Sequence, residues 1–179
     1  MVEDKLLIWR FRRGSREALE RIYRKYEGLL VTVAAGILGD PAAAEDVVHD
    51  VFLGLTQAPD KVGLDGNLRH FLAVCVANRA KDRLRSRREG VSVDQIEFSV
   101  PEGLQPEVLA SRQEELQRAW TGLTQVPDEQ REVVVLHLVA GLRFRQVAAN
   151  LGISINTAQS RYRYGMGKLR SLLDEEPRR

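Results

Sequence analysis

The stretch Phe144-Arg145-Gln146-Val147-Ala148-Ala149-Asn150-Leu151-Gly152-Ile153-Ser154-Ile155-Asn156-Thr157-Ala158-Gln159-Ser160-Arg161 decides the fold. It reads as a short helix from Phe144 to Leu151, a turn Gly152-Ile153-Ser154, and a second helix from Ile155 to about Leu173. Gly152 tolerates the left-handed backbone of a tight interhelical turn, Ile153 can plug the core, and Ser154 can cap the helix that follows. A short helix, a glycine turn and a basic second helix make a helix-turn-helix. At about 100° per residue, Ala158, Tyr162, Met166, Leu169 and Leu173 share one face, with Asn156, Ser160, Arg163 and Gly167 opposite and Gln159 flanking. That outer face offers an amide, a hydroxyl and a guanidinium, groups able to read base edges in a major groove. Thr157 and Arg161, in the same motif, join them as DNA-binding candidates. A merely solvated helix would mix Glu with Arg, yet no Asp or Glu occurs from Val133 to Leu173. Arg143 stands where a Ser or Asp cap is expected and Arg145 lies in the first turn, both against the helix dipole unless a phosphate lies across that helix start.

Upstream of the motif, Val126-Pro127-Asp128-Glu129 opens a helix that Val133, Val134, Leu136, Leu138 and Val139 fill and Gly141 ends, and Leu109, Leu116, Trp120 and Leu123 mark another before it. Gly165 and Gly167 lower the helix propensity of the second motif helix. From Val91 to Val108 the chain carries Asp94, Glu97, Glu102 and Glu107 with no Lys or Arg, and holds Pro101, Gly103 and Pro106, the pattern of a linker. The first half reads as helix nearly throughout. Ala18, Leu19, Ile22, Tyr23, Tyr26, Leu29, Leu30 and Val33 recur at helical spacing behind the cap Ser15. Gly39-Asp40-Pro41 breaks the chain, with Asp40 as the next cap and Pro41 at the first helical position, and the helix it opens buries Ala44, Val47, Val48, Val51, Phe52 and Leu55. A loop follows from Ala58 to Leu68. The third helix, about Leu68 to Arg88, places Phe71, Leu72, Cys75, Val76 and Leu84 on one side.

Charge is distributed unevenly although the 179 residues sum to only +2. Between Arg69 and Arg88 seven basic residues face Asp82 alone, and the Val133–Leu173 segment carries six more with no acid. Two basic bodies joined by an acidic connector point to a polyanionic partner. No apolar run approaches the roughly 20 residues that cross a bilayer, so no membrane insertion is expected. The single Cys75 fits a reducing cytoplasm. His49, His70 and His137 are scattered and give no zinc spacing, and no phosphate-binding glycine loop occurs, so neither a metal, a cofactor nor an enzyme is expected. The fold class is therefore all-α: two small helical domains joined by a flexible acidic linker, the second a helix-turn-helix. The expected boundaries are 1–90, 91–108 and 109–179.

Val126-Pro127-Asp128-Glu129-Gln130-Arg131-Glu132-Val133-Val134-Val135-Leu136, Ala140-Gly141-Leu142, Val147 through Ser154 and Asn156 through Arg161 together resemble the promoter-upstream-binding domain of the extracytoplasmic-function sigma factors, group 4 of the sigma-70 family of bacterial RNA polymerase. Gly39-Asp40-Pro41 with Ala44-Glu45-Asp46-Val47-Val48-His49-Asp50-Val51-Phe52, and Phe71-Leu72 with Asn78-Arg79-Ala80-Lys81-Asp82, are similar to that family's core-binding and promoter-melting domain. The resemblance runs through nearly the whole chain in the family's order. It implies that Glu45, Asp46, His49, Asp50 and Phe52 dock on the β′ clamp of core RNA polymerase, with the β flap a further contact. It implies that the Ala58–Leu68 loop, including Lys61, captures a flipped base of the −10 element, with Asn78, Lys81, Asp82, Arg83 and Arg85 lying against that element. Arg143, Arg145, Asn156, Thr157, Gln159, Ser160, Arg161 and Arg163 would meet the −35 element, and an anti-sigma factor is a compatible partner. The family often carries Trp near Thr56 and at the position of Phe71; this chain has neither. Two other readings remain: a helix-turn-helix regulator acting without polymerase, which leaves the first ninety-odd residues unassigned, and a helical adaptor whose basic faces bind acidic protein.

Overall fold

Caps and breaks set the order of the helices. A computed structural model describes residues 2–62, 67–89 and 118–174. The expected linker, Leu109 and Leu116 of the helix after it, and Gly63–Gly66 of the expected loop lie outside them. Among the described residues all regular structure is helical. Helix α1 (Val2–Arg12) was not anticipated from sequence; it buries Leu7, Ile8 and Phe11 on α2. Its turn closes at Gly14, whose φ of 86° needs no side chain. Helix α2 (Arg16–Leu38) starts where expected, with Ser15 Oγ accepting from Ala18 N at 3.2 Å. It ends at Gly39, left-handed at φ 73°. Asp40 caps α3 (Pro41–Gln57) by accepting from Ala43 N at 3.0 Å. A 3-10 turn, Pro59–Lys61, follows. Asn67 Oδ1 accepts from His70 N at the start of α4 (Leu68–Glu89).

The buried seam of α4 differs from the expected one. Leu72, Ala73, Val76, Ala77 and Ala80 are buried, whereas Phe71, Cys75 and Leu84 are half-buried. Alanines let the α4 backbone approach α2 closely, so a hydrophobic wheel weighted by side-chain size points slightly away from the true contact. Val51, expected in the core, is half-buried for a similar reason: Phe52 beside it takes the inward position against Tyr23, ring centroids 4.9 Å apart.

In the second half, helix α5 (residues 118–124) leads to α6 (Asp128–Val134), which continues as a π-helical turn, Val135–Val139. Ala140 N donates to Val135 O at 3.1 Å, the i→i−5 bond of that turn. The extra residue rotates Leu138 outward to 52% exposure, correcting its expected burial. Helices α7 (Phe144–Leu151) and α8 (Ile155–Asp174) complete the helix-turn-helix.

The two halves share one apolar cluster. Bare Gly36 on α2 receives Val135 and Trp120; a Cβ there would lie 2.9 Å from Val135 Cγ2 and 3.2 Å from the indole. Buried Arg131 donates to Ile37 O at 2.9 Å, satisfying a carbonyl at the end of α2, and to Thr124 O and Val126 O at 3.2 Å. Arg69 reaches Val139 O at 3.2 Å, and Lys81 Nζ stands 2.9 Å from Glu132 Oε1, off the hydrogen-bonding direction, as an ion pair. No helix among the described residues is long and apolar enough to cross a membrane.

Candidate nucleic-acid interface

Three elements hold the helix-turn-helix rigid. Gly152 is left-handed at φ 65°, and Ile153 N donates to Ala148 O at 3.1 Å, closing the turn over α7. Ser154 Oγ accepts from Thr157 N at 3.0 Å and shares a bond with Thr157 Oγ1 at 2.8 Å. The His137 ring stacks on Phe144 at 4.1 Å and meets the edge of Tyr162 at 5.0 Å, while its Nδ1–H donates to Leu142 O at 2.7 Å. A histidine that sequence left without a role thus ties the π turn to both helices of the motif.

The face of α8 turned from this scaffold carries Asn156, Gln159 and Arg163, all exposed, and Ser160, half-exposed. Arg163 lies over the ring of Tyr164, 5.4 Å from its centroid; Tyr164, 61% exposed, was not singled out in sequence because aromatics at helical spacing usually mark a core. Thr157 and Arg161 stand apart from this face. Thr157 spends its hydroxyl on the cap, and Arg161 turns toward α6 to pair with Glu129, which the wheel could not foresee because the buried side of α8 is centred nearer Ala158 and Gly165. Gly165 is a contact: a Cβ would lie 3.0 Å from Val134 Cγ2 and 3.2 Å from Gln130 Cβ. Arg143 and Arg145 are both exposed at the start of α7. The cap is completed from the other side, Gln146 Oε1 accepting from Arg143 N at 2.9 Å, which leaves the Arg143 guanidinium outside the cap.

On the first half, Lys61, Asn78, Asp82 and Arg85 are exposed, and Lys81 and Arg83 half-buried. Asn78 Oδ1 accepts from Asn150 Nδ2 at 3.4 Å, and Arg83 pairs with Asp46 at 2.9 Å. The structure also brings Arg79, beside Asp50 at 2.8 Å, and Arg87, beside Asp40 at 2.9 Å, into this group. Burial pushes the Asp40 carboxyl up, but Arg87 and the Ala43 N–H more than offset it, leaving Asp40 below its ordinary value. Glu132 is held above its ordinary value by burial, with Lys81 opposing.

On α3, Glu45, Asp46 and His49 are exposed and Asp50 is half-buried. Phe52 is different. At 5% exposure it faces the core, so it supports this surface from beneath instead of presenting a docking side chain. Leu53, 52% exposed, takes that outward place and borders an open groove of about 740 Å³ floored by Phe11, Leu19, Tyr23 and Phe52. Among the described residues no group of His, Cys, Asp and Glu could hold a metal ion.

Residues 22–89 match the family model of sigma-70 region 2, and residues 116–169 that of sigma-70 region 4. The chain is 30% identical over 159 residues to an extracytoplasmic-function RNA polymerase sigma factor, SigL of Mycobacterium tuberculosis, covering 88% of this chain and 89% of that protein. It belongs to the extracytoplasmic-function sigma factors. CarQ of Myxococcus xanthus, an RNA polymerase sigma factor, is 29% identical over 93% of this chain and 95% of its own length. Among solved structures, CnrH in complex with the cytosolic domain of CnrY shares the fold at a TM-score of 0.71 and 24% identity, covering 98% of this chain and 99% of that one. RpoE of Bartonella quintana, solved with the anti-sigma factor NepR, shares it at 0.68 and 22%, covering 88% of this chain and 99% of that chain. This sigma factor is a non-enzymatic initiation factor, and the reading as a regulator that works without polymerase is not favoured.

Proposed function

We propose that the two halves of this sigma factor divide promoter recognition between them. The domain from residue 1 to 90 docks on the β′ clamp of core RNA polymerase through Glu45, Asp46, His49, Asp50 and the exposed Leu53 of α3. It lays α4, with Asn78, Lys81, Asp82, Arg83 and Arg85, along the −10 element, Lys61 belonging to the loop that approaches it. The domain from 109 to 179 reads the −35 element with Asn156, Gln159, Ser160 and Arg163, while Arg143 and Arg145 hold the phosphate backbone, and the β flap seats this domain on the polymerase. Residues 91–108 connect them. The protein acts in the cytoplasm, where polymerase and promoter are.

The supporting observation is the α8 face: four side chains with base-reading chemistry, three exposed and Ser160 half-exposed, on a helix free of acid from Ile155 to Leu173 and held by the His137 stack. CnrH and RpoE were solved with CnrY and the anti-sigma factor NepR respectively, which extends the proposal to an anti-sigma partner for this chain. Reconstitution with core polymerase tests the function. The chain plus core should start transcripts at a restricted set of sites in a DNA library, and neither component alone should do so. Site-specific DNA binding with no polymerase-dependent initiation would refute it.

A further inference from the structure

Among the described residues, Tyr164 is the most exposed large hydrophobic side chain, and it lies outside the apolar cluster that takes its neighbours Tyr162, Met166 and Leu169. The guanidinium carbon of Arg163 lies over its ring, 5.4 Å from the centroid. Consecutive helical residues point about 100° apart, so the arginine stem turns along the rim of α8 to make this contact. Tyr164 follows Ser160 by one turn and Gly167 follows Arg163 by one turn, so both extend the face that carries Asn156, Ser160 and Arg163. Gly167 leaves the pair uncovered. Helical side chains lean over the preceding turn, and nothing lies within 4 Å of where a Cβ at Gly167 would be. A ring and a carboxylate hold an arginine differently. Arg161, two residues earlier, commits Nη2 to Glu129. The Tyr164 ring attracts Arg163 through its charge and takes none of its N–H groups, so the planar fork stays available to a base.

We propose that Tyr164 is a positioning residue for sequence recognition, holding the Arg163 guanidinium ready to contact O6 and N7 of one guanine in the upstream element. The proposal rests on the assignment of α8 to the −35 element. Bidentate pairing with guanine requires the fork to meet the base edge in its plane, so the ring supplies orientation and adds no charge. An unrestrained arginine samples many rotamers, and restricting them before DNA arrives removes part of the ordering cost of binding. Tyr164 itself touches no base in this arrangement, and its hydroxyl has no part in it.

The test uses the full chain reconstituted with core polymerase, in binding selections on randomised upstream elements at two salt concentrations. Tyr164→Leu keeps apolar bulk and helix propensity but removes the ring. It should lower discrimination for guanine at the position Arg163 reads by about 2- to 5-fold, the strength of an exposed cation–ring contact. Preference at the other positions and the salt exponent should stay at wild-type values, because no phosphate contact is lost. Tyr164→Phe should restore the wild-type profile. With Arg163→Ala already in place, Tyr164→Leu should change nothing further. Three results overturn the positioning role by making Tyr164 a DNA contact in its own right: lost preference at a different base pair, an equal defect in Tyr164→Phe, or an effect that adds to that of Arg163→Ala. A silent Tyr164→Leu beside an altered Arg163→Ala profile overturns the positioning alone. A wild-type profile from Arg163→Ala instead sinks the reading of α8 on which it rests.

Discussion

Gly165 and Gly167 look alike in sequence, two helix-weakening residues on α8, yet their surroundings differ. An alanine methyl at Gly165 would press on Val134 and Gln130, whereas nothing lies within 4 Å of one at Gly167. Gly167→Ala should therefore raise stability by up to about 1 kcal/mol through helix propensity, and Gly165→Ala should lower it by about 1–3 kcal/mol through overpacking. Thermal melts of both variants check the pair; equal shifts would contradict the close approach of α8 to α6. The same scale separates base reading from phosphate binding. Arg163→Ala should relax preference at one or two base pairs of the −35 element, at about 1–3 kcal/mol for the favoured sequence. Arg143→Ala or Arg145→Ala should weaken all sequences alike and reduce the salt exponent by about 0.9 per lost contact. Selections on randomised upstream elements at two salt concentrations measure both effects, and a wild-type preference profile from Arg163→Ala would remove it from the reading face.

Among elements, those bounded by caps and glycines were legible and those set by packing were not. Ser15, Asp40 and Ser154 each cap the helix expected of them, and Gly39, Gly141 and Gly152 are left-handed where breaks were read. Local side-chain chemistry decides such ends, so sequence suffices. The π turn at Val135–Val139 escaped because its cause is distant: it fits the helix against Gly36 of α2 and offers Val139 O to Arg69. Helix α1 escaped because its three core residues, Leu7, Ile8 and Phe11, sit beside exposed Leu6 and Trp9, which blurs the period. The candidate site was legible wherever one helix face sufficed, as at Asn156, Gln159 and Arg163. It was not where a partner from another helix decides the side chain's use, as at Arg161, Phe52 and the α4 arginines. Asp40 gives this scale its pH test. Its carboxyl is lowered in the folded protein, so it contributes stability above the ordinary value of 3.8 that disappears as pH falls from there through the folded value. Asp40→Asn keeps a good cap but removes the charge. Wild type should exceed the variant by about 1 kcal/mol or less at neutral pH, with the two stability curves converging at strongly acidic pH. Parallel curves in urea unfolding across pH would show that Arg87 does not hold this carboxylate.

For the whole molecule, the two basic bodies read from sequence fold against one another, and the contact bears on how they work. Gly36, Arg131 and the Lys81–Glu132 pair make the junction, and Lys81 belongs to the candidate −10 surface. Gly36→Leu should force Val135 and Trp120 away without weakening α2, since leucine favours helix. Small-angle scattering should then show a larger radius of gyration at unchanged helix content, and an unchanged radius would contradict this junction in solution. The central claim, one chain reading two promoter elements through two separate helices, is tested most directly by footprinting the reconstituted polymerase on a promoter the chain selects, with permanganate marking unpaired thymines. The account predicts two protected blocks with melting confined to the downstream one, a weakened upstream block with Arg163→Ala, and loss of melting with Arg83→Ala and Arg85→Ala. A single protected block, identical with and without core polymerase and with no melted thymines, would contradict it.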